Sequence, residues 1–389
     1  MINKRIITLA ILACSLSVSA QDAKQIHKKA LVVDTHGDIL SDQIGSGIDL
    51  GKRQPGGNFD LVRAREGGLD AQVFSIWCDE RHGFERANRE IDSLEALIKR
   101  YPSRIALVRS ASELHKAAKR GQLAAMIGVE GGHMIENRID YLDSLAKRGM
   151  IYMTLTWNNS LPWASSAADE TKKGAALANK GLTDQGRKIV KRMNELGVMV
   201  DLSHVGEQTF YDALEVTNKR VIASHSSAYA LNPHSRNLKD DQLRAIAKNG
   251  GVVFVNFYSG FLDPKYFGKQ AGFLKRHANK VAELTGQYDS KYKAEAVIAA
   301  KYKDEVEDMR APLSLLIDHI DHMVKVMGDD HVGLGADFDG AESYPKQLDD
   351  VTGYPAITAE LLKRGYSTAS VNKILGGNFI RVLKANKGK

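Results

Sequence analysis

Eight short apolar runs recur along the chain, at 30–34, 71–77, 124–129, 151–156, 198–202, 221–223, 252–257 and 332–336. Several are apolar throughout, without the alternation of a strand that faces water on one side. Such runs predict parallel strands covered by helices on both faces. The intervening stretches 91–97, 141–148, 183–196, 242–248 and 315–327 repeat apolar residues at helical spacing, and Thr183 is placed to cap its helix. Eight strand–helix repeats in 389 residues predict a closed (β/α)8 barrel, the TIM barrel. A doubly wound open sheet is the alternative, but that fold gathers its functional loops near one switch point. Here chemically able side chains follow the first, third, fifth, sixth and eighth runs. A charged stretch from 258 to 310 interrupts the rhythm after the seventh strand. It predicts a helical insertion on the barrel rim, either a solvated hairpin or a lid or subunit contact.

The side chains at the run ends define a chemistry. His36 and Asp38 are two residues apart in an extended segment, so both point the same way and can share one ion. Glu130 ends the third run with Gly131 and Gly132 after it, which leave room for something to approach. A carboxylate there is costly to bury alone, and its two oxygens can bridge two cations. His204 and His225 end two successive runs. Imidazoles with carboxylates and open positions form the catalytic pattern of zinc sites. Together the five residues predict two metal ions sharing Glu130, one held by His36 and Asp38 and the other by His204 and His225. A water between the ions then loses a proton near neutral pH, and the bridging hydroxide attacks a polarised carbonyl. Asp337 and Asp339 follow the last run; Asp337, nearer the strand end, is expected to move the proton.

The N-terminus carries a different message. Lys4 and Arg5, the apolar stretch 6–13 and the small residues 18–20 read as a secretory signal cleaved after Ala20, with residues 21–389 forming one barrel domain. A periplasmic or envelope location follows. A lipid on Cys14 is the weaker reading, because Leu12 fits a lipoprotein signal poorly. No internal segment is apolar for long enough to span a bilayer, so the processed chain is not expected to be transmembrane. Loss of Lys4 and Arg5 lowers the formal charge from +7 to +5. The excess is scattered and lacks interleaved aromatics, which argues against a nucleic-acid partner. Cys78, the one cysteine left after cleavage, can form no internal disulfide and is expected to be a small buried hydrophobe.

The strings DTHGD, GVEGGH, DLSHV, SHSSAYALNPHSRN, VVFVNFY and VGLGADFDG resemble the membrane dipeptidase (renal dipeptidase) family, zinc peptidases of the amidohydrolase-like, metallo-dependent hydrolase barrels. The tail from 349 to 385 is also similar to the family's closing helices, so the likeness runs from about Ala30 to near the C-terminus. The resemblance implies two zinc ions bridged by Glu130 and cleavage of dipeptides, including those ending in a D-residue. It assigns Asp337 to proton handling and Arg236 to the substrate's terminal carboxylate, a role that suits a guanidinium's paired donors. It implies a homodimer, and His133 reads as structural.

The chain departs from the family after the fourth run. A histidine expected to contact the scissile carbonyl is replaced in the string Leu155-Thr156-Trp157-Asn158-Asn159. Trp157, Asn158 or Asn159 then supplies a weaker contact, or the substrate sits differently. The departure motivates a second reading, a binuclear metal amidase or lactonase acting on another small carboxylated substrate. A third, a non-catalytic envelope binding protein, is disfavoured by the intact ligand set.

Overall fold

The computed structural model describes residues 20–41, 47–79, 82–288 and 291–387. Among them are nine strands: β1 (Val33–Asp34), β2 (Ala71–Ile76), β3 (Ile105–Leu107), β4 (Leu123–Val129), β5 (Met150–Thr154), β6 (Met199–Asp201), β7 (Ile222–Ala223), β8 (Val252–Val255) and β9 (Val332–Leu334). Eight lie side by side in the order β1-β2-β4-β5-β6-β7-β8-β9, every pairing parallel. The ends of this path meet: the Thr35 amide donates to the Leu334 carbonyl at 3.1 Å, and the Asp337 amide to the His36 carbonyl at 3.0 Å. The sheet therefore closes as a (β/α)8 barrel, as the apolar runs predict. The extra strand β3 pairs with β4 outside the ring. Its run, Ile105-Ala106-Leu107 with Val108, is too short to stand out from a loop.

Period-two packing builds the two layers. In β2, Ala71 and Val73 join one buried cluster, while Phe74 and Ile76 join another. The first cluster takes residues from β1, β2, β4, β5, β6, β7 and β8 and is the barrel lumen. The C-terminal helix Asn378–Lys387 adds Phe379, Val382 and Leu383 to it, and Phe379 meets Phe254 edge-on. The second, larger cluster lies between strands and outer helices. Four of the five helical stretches read from the sequence fall inside helices, and the fifth starts one residue before Asp184–Leu196. Thr183 occupies the N-cap position of Asp184–Leu196, but its side chain makes no capping bond. Cys78 is buried with its Sγ 3.6 Å from Met134 Sδ.

The insertion after β8 is helical, comprising Ser259–Leu262, Tyr266–Arg276, Ala278–Tyr288, Lys291–Lys301 and Lys303–Met309. It is more than a solvated hairpin, because Tyr258, Tyr266, Phe273, Val281, Leu284, Ala294, Ile298 and Met309 form a small core of its own. The expected leader, with Cys14, lies outside the described residues apart from Ala20, where the first helix begins. No described helix is long and apolar enough to cross a membrane.

Candidate metal centre

His36, Asp38, Glu130, His204, His225 and Asp337 all lie at the carboxyl ends of barrel strands, and their side chains meet there. The His204 and His225 Nε2 atoms approach one oxygen of Glu130 at 2.8 and 3.4 Å. His36 Nε2 stands 3.4 Å from the other oxygen, and 3.9 Å from both Asp38 and Asp337. Two overlapping groups can each surround an ion: His36 with Glu130 and His225, and His36 with Asp38 and Asp337. Gly340 lets the backbone pass close by, since a β-carbon there would sit 2.2 Å from Asp38 Oδ2 and 2.4 Å from Asp337 Oδ1. His204 and Asp337 themselves hold left-handed backbone, at φ 65° and 62°, strain of a kind that clusters at functional sites.

The hydrogen-bond partners of the three imidazoles set their tautomers. Tyr152 donates its hydroxyl to the Thr35 carbonyl at 2.9 Å, so it accepts from His36 Nδ1 at 2.8 Å. Ser224 donates to Asp201 at 2.6 Å and so accepts from His225 Nδ1 at 2.8 Å. The Asn158 side-chain oxygen lies 3.1 Å from His204 Nδ1 and accepts from it. With each Nδ1 carrying the proton, all three Nε2 lone pairs point into the cluster. His204 Nε2 and His225 Nε2 are then 2.9 Å apart with no proton between them. The buried His36 Nε2 and Asp38 Oδ1 have no hydrogen-bond partner among the described residues.

Electrostatics completes the case for a cation. Burial lowers the His204 imidazole to about 3, helped by the nearby Arg236 guanidinium, and burial pushes His225 down as well. Burial raises Asp38 well above its usual range and Asp337 to about 6, with Glu130 adding to both. At His36 burial works the other way but is outweighed by Glu130, Asp38 and Asp337, which draw it up to about 10. Three carboxylates thus call for positive charge beside His36. A proton there would meet that demand, but only a cation also separates the His204 and His225 nitrogens. Imidazole and carboxylate donors suit zinc and similar divalent ions.

The remaining sequence candidates fall around this cluster. Arg236 is 6% exposed, donates to the His225 carbonyl at 3.3 Å and leaves its buried Nε without a partner. Burial lowers it to about 10. A cavity of about 350 Å³ opens beside Arg236 and His204. Trp157 is half-buried with its ring 6.5 Å from that of His204, and Asn158 is exposed. Asp337 accepts from Asn256 at 2.9 Å, whereas Asp339 accepts from the Asn58 amide on the rim. His133 Nε2 lies within hydrogen-bonding distance of the Cys78 carbonyl, at 2.7 Å, and its buried Nδ1 has no partner among the described residues.

Sequence reasoning missed the residues behind the ligands. Tyr152 reads as one more strand residue, and Asn256 as part of an apolar run. Asp201 and Ser224 lie in the quoted strings but carry no signal of being partners. Asp34 is also missed: it accepts from the His36 amide at 3.1 Å and the Ala336 amide at 2.9 Å, tying the first strand end to the last.

Comparison with known proteins places these observations in a wider set. The family model described as membrane dipeptidase (peptidase family M19) matches residues 20–388. An uncharacterized dipeptidase of Schizosaccharomyces pombe is 32% identical over 389 residues, covering 94% of this chain and 83% of that protein. The crystal structure of the probable dipeptidase PvdM from Pseudomonas aeruginosa aligns with a TM-score of 0.79 at 24% identity, covering 95% of this chain and 98% of that one. A metallopeptidase from Rhodobacter sphaeroides, crystallised with a phosphinate mimic of the dipeptide L-Ala-D-Ala, aligns with a TM-score of 0.75 at 24% identity, covering 92% and 99%.

Proposed function

The chain belongs to the membrane dipeptidase family, a family of metal-dependent peptide-bond hydrolases, and from that premise we propose an exported enzyme that splits dipeptides at a centre of two zinc ions. The observation that carries the substrate assignment is Arg236. Its guanidinium is buried beside the ligand cluster and, among the described residues, is bonded only to the His225 carbonyl, with its Nε unpartnered. A buried cation of this kind is costly unless an anion reaches it. The terminal carboxylate of a dipeptide supplies that anion and leaves the peptide bond one residue away, at the ligands.

His36, Asp38, Glu130, His204 and His225 would hold the two ions, with Glu130 between them. When bound, the metals supply an acidified water and polarise the scissile carbonyl. The chain's own residues do the rest. Arg236 fixes the substrate's carboxylate end and so its register. Asn256 occupies one oxygen of Asp337, leaving the other on the His36 side to take the proton of the attacking water and deliver it to the departing amine. The Trp157 indole N–H and the Asn158 amide lie on the loop beside His204 and would be the donors available to the scissile carbonyl.

The mimic bound to the Rhodobacter sphaeroides enzyme ends in D-alanine, which supports acceptance of a D-residue at the second position here. The basic, apolar and small-residue pattern of residues 1–20 supports export. The deciding assay is hydrolysis of L,L and L,D dipeptides by zinc-loaded protein, with Glu130→Gln as control. Cleavage that vanishes in the control is expected; an intact panel after incubation with the loaded wild type would sink the reading.

A further inference from the structure

Two tryptophans stand on the opposite side of the ligand cluster from Arg236. Trp77 follows β2 and Trp157 follows β5, the two strands flanking β4, whose end carries Glu130. Arg236 comes from the segment after β7, and its guanidinium lies 5.3 Å from the ring of Phe261, which follows β8. Around the eight-stranded ring, β8 is the position facing β4. A dipeptide held by its carboxylate at Arg236, with its peptide bond at the ligands, therefore directs its first residue toward the Trp77–Trp157 side.

The pair is built as a wall. The ring centroids are 4.9 Å apart at 54°, and both side chains are half-buried. Trp77 is anchored through its backbone amide, which donates to the buried Glu90 carboxylate at 2.8 Å, and Arg86 holds the other Glu90 oxygen at 2.8 Å. Trp157 extends the surface to within 6.5 Å of the His204 ring. Among the described residues no cation stacks on either indole. The surface offered to the substrate is therefore aromatic and uncharged, with the buried Trp77 Nε1 left without a hydrogen-bond partner among the described residues.

We infer that Trp77 and Trp157 form the subsite for the side chain of the dipeptide's first residue and select apolar or aromatic ones. The inference rests on the dipeptidase reading and narrows its substrate class. Burial of a leucine or phenylalanine side chain on two indoles lowers the transition state relative to a glycine substrate, which has the same ammonium and peptide groups but nothing to bury.

The test is a ratio of kcat/KM values in zinc-loaded enzyme. Wild type is expected to favour Phe-Ala and Leu-Ala over Gly-Ala by roughly 10–100-fold. Trp157→Ala and Trp77→Leu should each reduce that ratio severalfold, and Trp157→Phe should keep most of it. The reversed pair, Ala-Phe against Ala-Gly, should keep its ratio in all variants. Because each variant is its own reference, a general loss of activity moves no ratio. A wild type that cleaves Gly-Ala as fast as Phe-Ala, or variants that lower all five peptides equally, would overturn the subsite. A wild type that cleaves none of them would instead overturn the dipeptidase reading on which it stands.

Discussion

The Tyr152 hydroxyl accepts the Nδ1 proton of His36 across 2.8 Å, and this one contact decides which nitrogen of His36 faces the metal centre. The phenol is fully buried in the lumen. It fits because residue 128 is glycine: a β-carbon there would lie 2.1 Å from the ring of Tyr152. The motif around Glu130 therefore serves two ligands, one through its carboxylate and one through the space its glycine leaves.

Tyr152→Phe keeps the packing and removes the acceptor. Without it His36 is free to take the other tautomer, which places a proton where the ion belongs. Orienting groups of this kind typically contribute about 10–100-fold to metal affinity. On the proposed two-ion reading, we expect a loss of that size at the ion beside His36, with an ion held by His204 and His225 little changed. Competition with a chromophoric chelator resolves the two. Equal affinities in wild type and variant would show that His36 is oriented by something else.

Much of this was legible in the chain because candidate metal ligands at strand ends leave a signal at fixed places. His36, Asp38, Glu130, His204, His225 and Asp337 are each short, chemically distinct interruptions after an apolar run, and the barrel brings strand ends together. Tyr152, Asp201, Ser224 and Asn256 act from within or beside those same runs. Their roles depend on which strands become neighbours, a property of barrel closure that no local pattern encodes. The strand β3 escaped for a different reason, since three residues on the outside of the ring need no long apolar run. The insertion's own core was hidden because its apolar residues are spread among many charges.

Arg236→Met should raise KM far more than it lowers kcat, because it removes a grip on the carboxylate and no reacting group. A charge-assisted pair contributes about 1.5–3 kcal/mol, or roughly 10–150-fold. Arg236→Lys should recover only part of this, lacking the paired donors. Dipeptide amides provide the cross-check. In wild type they should be bound as weakly as dipeptides are by the methionine variant, and in the variant the amide substitution should cost little. A KM that stays put would remove Arg236 from the substrate's carboxylate.

Removing the metals should destabilise the fold as well as silence it. Without a cation, the His204 and His225 lone pairs face each other at 2.9 Å beside a buried carboxylate. Binding at a thousandfold excess over Kd stabilises a folded state by about 4 kcal/mol per site. Chelator-treated protein should melt at least several degrees below the zinc-loaded form, and returned zinc should restore it. Glu130→Gln should narrow the gap, since it weakens both ions at once. Identical melting curves with and without chelator would mean that these residues hold no ion.

His319 gives the fold an acid-sensitive joint away from the metal centre. It lies fully buried on helix Leu313–Met327, where Nδ1 accepts from the Ala228 amide at 3.0 Å and Nε2 donates to the Leu262 carbonyl at 3.1 Å. The ring thereby joins the segment leading to Arg236 with the start of the insertion, and it can do both only when neutral. Burial, partly offset by the Leu262 bond, holds it down at about 4, against 6.5 for an ordinary histidine. A histidine depressed in the folded state contributes stability that is complete above pH 6.5. That contribution is lost as the pH falls from 6.5 toward 4, because the unfolded chain takes up the proton first. The loss amounts to about 3 kcal/mol over that interval. His319→Asn retains an acceptor for Ala228 but cannot titrate. In metal-stripped protein, where loss of ions contributes nothing, urea unfolding of the variant should start less stable at pH 7.5 and depend less on pH between 6.5 and 4. Parallel pH profiles for wild type and variant would show that His319 is not the group that titrates.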